Sequence, residues 1–195
     1  MSNKVTFGLK NVHYAVATPG EDDTWTYGEP KKLTGAQELT AEVIAGKTDV
    51  YADDRILATL VSNSGSNITL KLTEIDDDFK VAVLGYEKDT NNNLIEVVNH
   101  RNKTFALGYE IQGDAKARRI WYFLCTASPV SDATKTKAES IEPNSVTLSI
   151  TARSIEAGNL SVIRTIAKFG DANYNNFFTS GPSVGTIGTW YGKDS

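Results

Sequence analysis

The chain has one cysteine, one methionine, two histidines and five prolines in 195 residues. A lone Cys125 excludes an intrachain disulfide, so this is not a disulfide-built secreted domain. Cys125 closes the apolar run Ile120-Trp121-Tyr122-Phe123-Leu124-Cys125. There it reads as a small buried hydrophobe rather than a thiol nucleophile. Zinc needs clustered Cys and His ligands, and Cys125 with the distant His13 and His100 supplies none. His13 falls in an apparent strand and His100 beside Asn99, Arg101 and Asn102, both ordinary settings for a histidine. Positive charge is not in excess either: 20 Lys and Arg face 24 Asp and Glu, a formal net charge of -4. Dedicated binders of nucleic acid or anionic membranes cluster their basic residues. The one basic cluster here, Lys116, Arg118 and Arg119, is small. No apolar run approaches the ~20 residues of a bilayer span. Met1-Ser2-Asn3-Lys4 leads straight into Val5-Thr6-Phe7 without an apolar leader, so the expectation is a protein made in the cytosol, with no signal peptide and no membrane partner.

Sites built on acids or glycines are missing too. Glu21-Asp22-Asp23 reads as a solvated turn, and neither Asp53-Asp54 nor Asp76-Asp77-Asp78 has calcium-loop spacing. No glycine pattern opens a helix after a strand to cradle a phosphate. The reading is therefore a non-enzymatic protein with no catalytic residues, no metal and no cofactor.

What the chain does have is alternation. Val146-Thr147-Leu148-Ser149-Ile150-Thr151-Ala152 sets apolar groups on one face and hydroxyls on the other, the mark of a half-buried antiparallel strand. Ile68-Thr69-Leu70-Lys71-Leu72-Thr73 repeats it, and Val12-His13-Tyr14-Ala15-Val16 and Leu39-Thr40-Ala41-Glu42-Val43 fit more loosely. Further strands are expected at 105–111 and 163–168. The run 120–125 is apolar on both faces: a central strand, or one whose second face meets a partner.

One flanking helix is expected over 74–85. Asp76 to Asp78 oppose the helix dipole at its start, Gly85 stops it, and Ile75, Phe79, Ala82 and Val83 form its apolar stripe. Residues 171–178 suggest a second helical turn.

Two segments break the pattern. Residues 46–66 mix Val50, Tyr51, Ile56, Leu57 and Leu60 with Asp53, Asp54 and Asn63. A connection this long in one domain is functional or disordered, and its apolar content argues against disorder. An extended hairpin docking on a neighbouring chain explains it. Residues 179–195 are Gly-rich and end in Trp190 and Tyr191, which reads as a C-terminal arm that docks, because a free tail rarely exposes two large aromatics. With 1–10 as N-terminal arm and first strand, the whole of 1–195 reads as a single domain.

Several of these segments resemble the major tail (tail tube) protein family of long-tailed, non-contractile bacteriophages of Gram-positive bacteria. The likeness lies in Val5-Thr6-Phe7-Gly8-Leu9-Lys10-Asn11-Val12-His13-Tyr14-Ala15, in Val50-Tyr51-Ala52-Asp53-Asp54 and in Leu148-Ser149-Ile150-Thr151-Ala152-Arg153. Its most specific part is Phe105-Ala106-Leu107-Gly108-Tyr109-Glu110 with Lys116-Ala117-Arg118-Arg119-Ile120-Trp121 and Cys125-Thr126. The resemblance covers roughly residues 4 to 155 and leaves the last forty or so unmatched. It implies a mainly β fold, an antiparallel β-sandwich or half-barrel with one flanking helix, a long inter-ring loop and terminal arms. It also implies hexameric rings stacked into a hollow tube within the virion, with the tape-measure protein and tail completion or tip proteins as partners. Double-stranded DNA would pass through the lumen without specific binding, which an acidic protein suits. The residue reading alone leaves other functions open. They are a monomeric β-sandwich carbohydrate-binding module using Trp25, Tyr27, Trp190 and Tyr191, a tube-ring protein of a secretion system, and a hydrolase with His100 as base.

Overall fold

The alternation of the sequence becomes strands with one buried edge of side chains. In Val146–Arg153, Leu148, Ile150 and Ala152 are buried while Thr147 and Ser149 face solvent. A computed structural model describes residues 8–21, 24–52, 55–98, 101–114, 116–129, 145–158 and 160–185, with backbone alone for 47–52 and 55–61. The strands run β1 (Leu9–Pro19), β2 (Trp25–Tyr27), β3 (Lys31–Lys32), β4 (Ala36–Ala52), β5 (Arg55–Leu72), β6 (Glu87–Lys88) and β7 (Leu94–Ile95). They continue as β8 (Phe105–Ile111), β9 (Arg119–Ala127), β10 (Val146–Arg153), β11 (Ile155–Ala157), β12 (Leu160–Val162) and β13 (Arg164–Ala167).

Nine of them form one antiparallel sheet in the order β2-β1-β8-β9-β10-β5-β4, with β3 added on β1 and β13 on β9. β1, one strand in from the β2 end, comes into contact with β4 at the opposite end, so the sheet curls on itself. The expectation of a mainly antiparallel β fold with one helix holds. Side chains of Tyr14, Leu70, Phe105, Leu107, Tyr122 and Leu148 fill the concave side.

The helical element, α1 (Asp77–Phe79), is shorter than the expected 74–85 and continues as a π turn, Lys80–Leu84. Ile75, Phe79 and Val83 are buried in the concave core as the apolar stripe implied, with Ala82 partly buried. Phe79 meets the rings of Tyr14 and Phe105 edge-on, at 4.9 and 5.5 Å. Gly85, in the left-handed conformation at φ 80, ends the turn with its N–H on the Lys80 carbonyl. Asp76 holds the N-cap position without capping: its carboxylate accepts from Thr34 Oγ1 at 3.1 Å instead. Residues 171–178 form successive i→i+3 turns rather than a helix.

The two-sided strand β9 is central. It pairs with β8 along one edge and with β10 and β13 along the other. A register shift opposite Phe105–Leu107 turns Cys125 to the same concave core as Tyr122. On the convex side, small residues Ala15 and Ala106 leave space for the Trp121 indole. A Cβ on Gly108 would lie 2.7 Å from that ring, so only glycine fits beneath it. The second apolar face of β9 is covered by the chain's own later segment, which puts Tyr174 and Phe177 against Trp121.

Candidate assembly surface

Residues 46–66 are not a loop but the outer part of a β ribbon. β4 pairs with β5 continuously from Ala36↔Leu72 to Ala52↔Arg55. β5 pairs with β10 only from Leu72 to Ser66. Beyond that point, 44–52 and 55–65 pair with each other alone among the described residues. Nine residues of β4 at ~3.3 Å each carry the ribbon about 30 Å past its last sheet partner. The exit is built for a change of direction. The β4–β5 register shifts between Ile44 and Ala45. Gly65 there has φ 152, and a Cβ on it would lie 2.3 Å from the Ala152 carbonyl oxygen. The Asn63 side chain accepts the Gly65 N–H at 3.2 Å.

The register places the expected assembly residues on this ribbon. Val50 stands opposite Ala58, Thr48 opposite Leu60 and Tyr51 opposite Ile56, with Leu57 in the register shift next to Tyr51. Asp53 and Asp54 lie outside the described residues, as do Trp190, Tyr191 and His100. A free two-stranded ribbon is marginal in water, and a strand edge without a partner is a template for pairing. β4 is such an edge over its whole length among the described residues, and Val43 on it is 57% exposed.

The convex face is closed where the ribbon is open. The segment after β13 lies across it, tied by long-range hydrogen bonds. Trp121 Nε1 donates to the Phe177 carbonyl at 2.9 Å, Arg119 Nη1 to the Tyr174 carbonyl at 2.6 Å, and the Tyr174 hydroxyl to the Ala117 carbonyl at 2.8 Å. The Arg119 guanidinium also stacks over the Tyr174 ring, 4.0 Å from its centroid.

Beneath this strap sits a cluster that sequence reading missed. Glu110 is 3% exposed. It accepts from Asn11 Nδ2 at 2.9 Å, Lys10 Nζ at 3.0 Å and Arg119 Nε at 3.2 Å. Burial alone would push its carboxyl up, but Asn11, Lys10 and Arg119 together hold it below the usual range. His13 stacks on Phe178 with 4.6 Å between centroids, and its Nδ1 donates to the Asn11 carbonyl at 2.8 Å. Burial lowers the His13 imidazole, the Asn11 carbonyl opposes that, and Lys32 and Arg119 add to it. Both rings of His13 and Phe178 thus serve packing. The one signal in the sequence was a charged residue at each facing strand end, Glu110 and Arg119, in otherwise apolar runs.

Among the described residues, the remaining candidates do not converge on a reaction centre. Cys125 is fully buried, and burial pushes its thiol up, away from the reactive thiolate. Trp25 and Tyr27 are half-buried, and Tyr27 packs on the convex core, so they do not form an exposed aromatic row. Among the described residues no three His, Cys, Asp or Glu are grouped to hold a metal ion, and no helix is long and apolar enough to cross a membrane. No family model and no curated protein matches the chain, so its functional reading rests on its residues and their arrangement.

Proposed function

We propose that this protein is a self-assembling structural subunit of the phage tail-tube type, non-enzymatic and without a cofactor. The observation that carries the reading is the β4–β5 ribbon, projecting about 30 Å beyond its last partner strand with neither edge paired there among the described residues. Such a ribbon gains stability only when a neighbour covers it. Pairing at the β4 edge offers a head-to-tail contact, which closes into a ring or runs on as a filament. The sequence resemblance adds the rest: hexameric rings, stacked as a conduit in the virion. Tape-measure and tail tip or completion proteins are its partners there, and the net charge of -4 favours passage of DNA over its retention.

Negative-stain microscopy of the purified protein is the direct test, expected to show rings or tubes. Deleting 47–64 is expected to leave a folded subunit with an unchanged melting temperature that no longer polymerises. A monodisperse monomer at every concentration, or tubes of normal length from the deletion variant, overturns the proposal. The first outcome favours a binding module instead.

A further inference from the structure

The curl of the sheet leaves a groove where β1 and β4 approach one another without pairing. Its volume of about 390 Å3 falls in the range of roughly 300–1,000 Å3 usual for small-molecule sites. Leu9 and Ile111 stand on one side of it, Leu39 and Ala41 on the other. Leu9, Leu39 and Ile111 are partly buried and pack on the concave core, so the groove extends that core toward solvent. Two polar side chains, Tyr109 and Arg164, line it with them.

These two have hydrogen-bonding capacity to spare. Arg164 donates from Nη1 to the Tyr122 hydroxyl at 3.1 Å, and its guanidinium lies 5.7 Å from the centre of that ring. Arg118 and Arg119 hold the carboxylates of Asp114 and Glu110, but among the described residues no carboxylate pairs with Arg164. Tyr109 is 7% exposed and Tyr122 1%, with their rings stacked 6.5 Å apart. Two phenols can bond to one another only once, and Tyr122 already accepts from Arg164. One phenol proton is therefore left over, and among the described residues no hydrogen bond takes it. Burial pushes the Tyr109 phenol up, Tyr122 adds to this and Arg164 opposes it, so Tyr109 keeps its proton at neutral pH. A buried donor without an acceptor is costly. The phenol pair and the remaining N–H groups of Arg164 call for an acceptor with negative charge, and the walls call for hydrocarbon. Glu38, the acidic residue lining the groove, is exposed and stands opposite Lys71 in the β4–β5 register.

We propose that this groove binds a small amphipathic carboxylate, its head group on Arg164 and the phenol pair and its hydrocarbon tail against Leu9, Leu39 and Ile111. A carboxylate accepts two parallel N–H bonds from a guanidinium, which an alcohol cannot do. The site lies within one subunit and does not depend on tube formation.

Calorimetric titration of the full chain with octanoate, kept below micelle formation, tests it. One octanoate per chain is expected to bind saturably. Octanol has the tail without the charge and acetate the head group without the tail, and each is expected to bind at least about tenfold more weakly. Arg164→Gln is expected to weaken octanoate by about tenfold or more and to leave octanol unchanged. No saturable octanoate binding, equal binding of octanol, or wild-type affinity in the Arg164→Gln variant overturns the proposal. Tyr109→Phe keeps the ring and removes the hydroxyl, which guards against a variant that fails through misfolding. It is expected to bind octanoate several-fold more weakly with an unchanged enthalpy for octanol, and an undiminished octanoate affinity sinks the assignment. Sedimentation velocity is expected to give the same species with and without octanoate. Dissociation of an oligomer by octanoate would instead give the groove to an acidic group of a second copy, against the proposal.

Discussion

At the scale of single residues, two positions carry more than their size suggests. Glu110 is a buried carboxylate with three donors, and removing its charge leaves Arg119 and Lys10 facing an amide. Glu110→Gln is expected to cost about 2 kcal/mol at neutral pH. The sign of its pH dependence follows from the depressed carboxyl. Stability from this group is present above the ordinary glutamate value near ~4.3 and is lost as pH falls through the lower folded value. Melting curves of the two proteins should therefore converge as pH drops below about 4. A difference constant with pH would show that the cluster acts through shape alone. Gly108 acts by absence. Gly108→Ala places a methyl 2.7 Å from the Trp121 ring, and a loss of about 2 kcal/mol is expected in urea unfolding. A wild-type midpoint would mean that the indole shifts without cost. Neither role was legible in the sequence. The charges of Glu110 and Arg119 in apolar strands were visible, but their pairing, nine residues apart, needs the β8–β9 register.

Elements were legible where side-chain period decided them. β8 was expected at 105–111 and found at Phe105–Ile111, because its burial leaves little choice. The ribbon was harder to delimit, since register shifts at Ile44/Ala45 and Val50/Tyr51 break the alternation on which the eye depends. The helix illustrates a different limit. Its acidic start and glycine stop were readable, but the π turn between them changes the spacing, and no sequence rule placed Asp76 on Thr34. That contact has its own test. Asp76→Ala and Thr34→Ala should each cost about 1 kcal/mol, and the double variant no more than either alone. Additive losses would return Asp76 to the helix. The second face of β9 could not be assigned from sequence, because the strap that covers it comes some fifty residues later.

For the whole molecule, the contrast is between a sealed face and an open edge. The strap buries Trp121 on the convex side, whereas β4 is left with Val43 57% exposed. If the subunit associates through that edge, a charge there should block association and spare the fold. Val43→Lys is expected to melt as the intact subunit does while failing to form rings or filaments. Assembly at the wild-type rate would remove the β4 edge from the interface.

The topology also sets an order in time. β1 closes on β8 through partners such as Asn11 and Glu110, which are 99 positions apart, whereas the ribbon pairs residues close in sequence, down to Ala52 with Arg55. Local pairings form quickly and distant ones slowly. The adhesive part of the chain is thus able to fold before the body that should aim it. Refolding at high concentration should trap tangled chains, and dilution should rescue them.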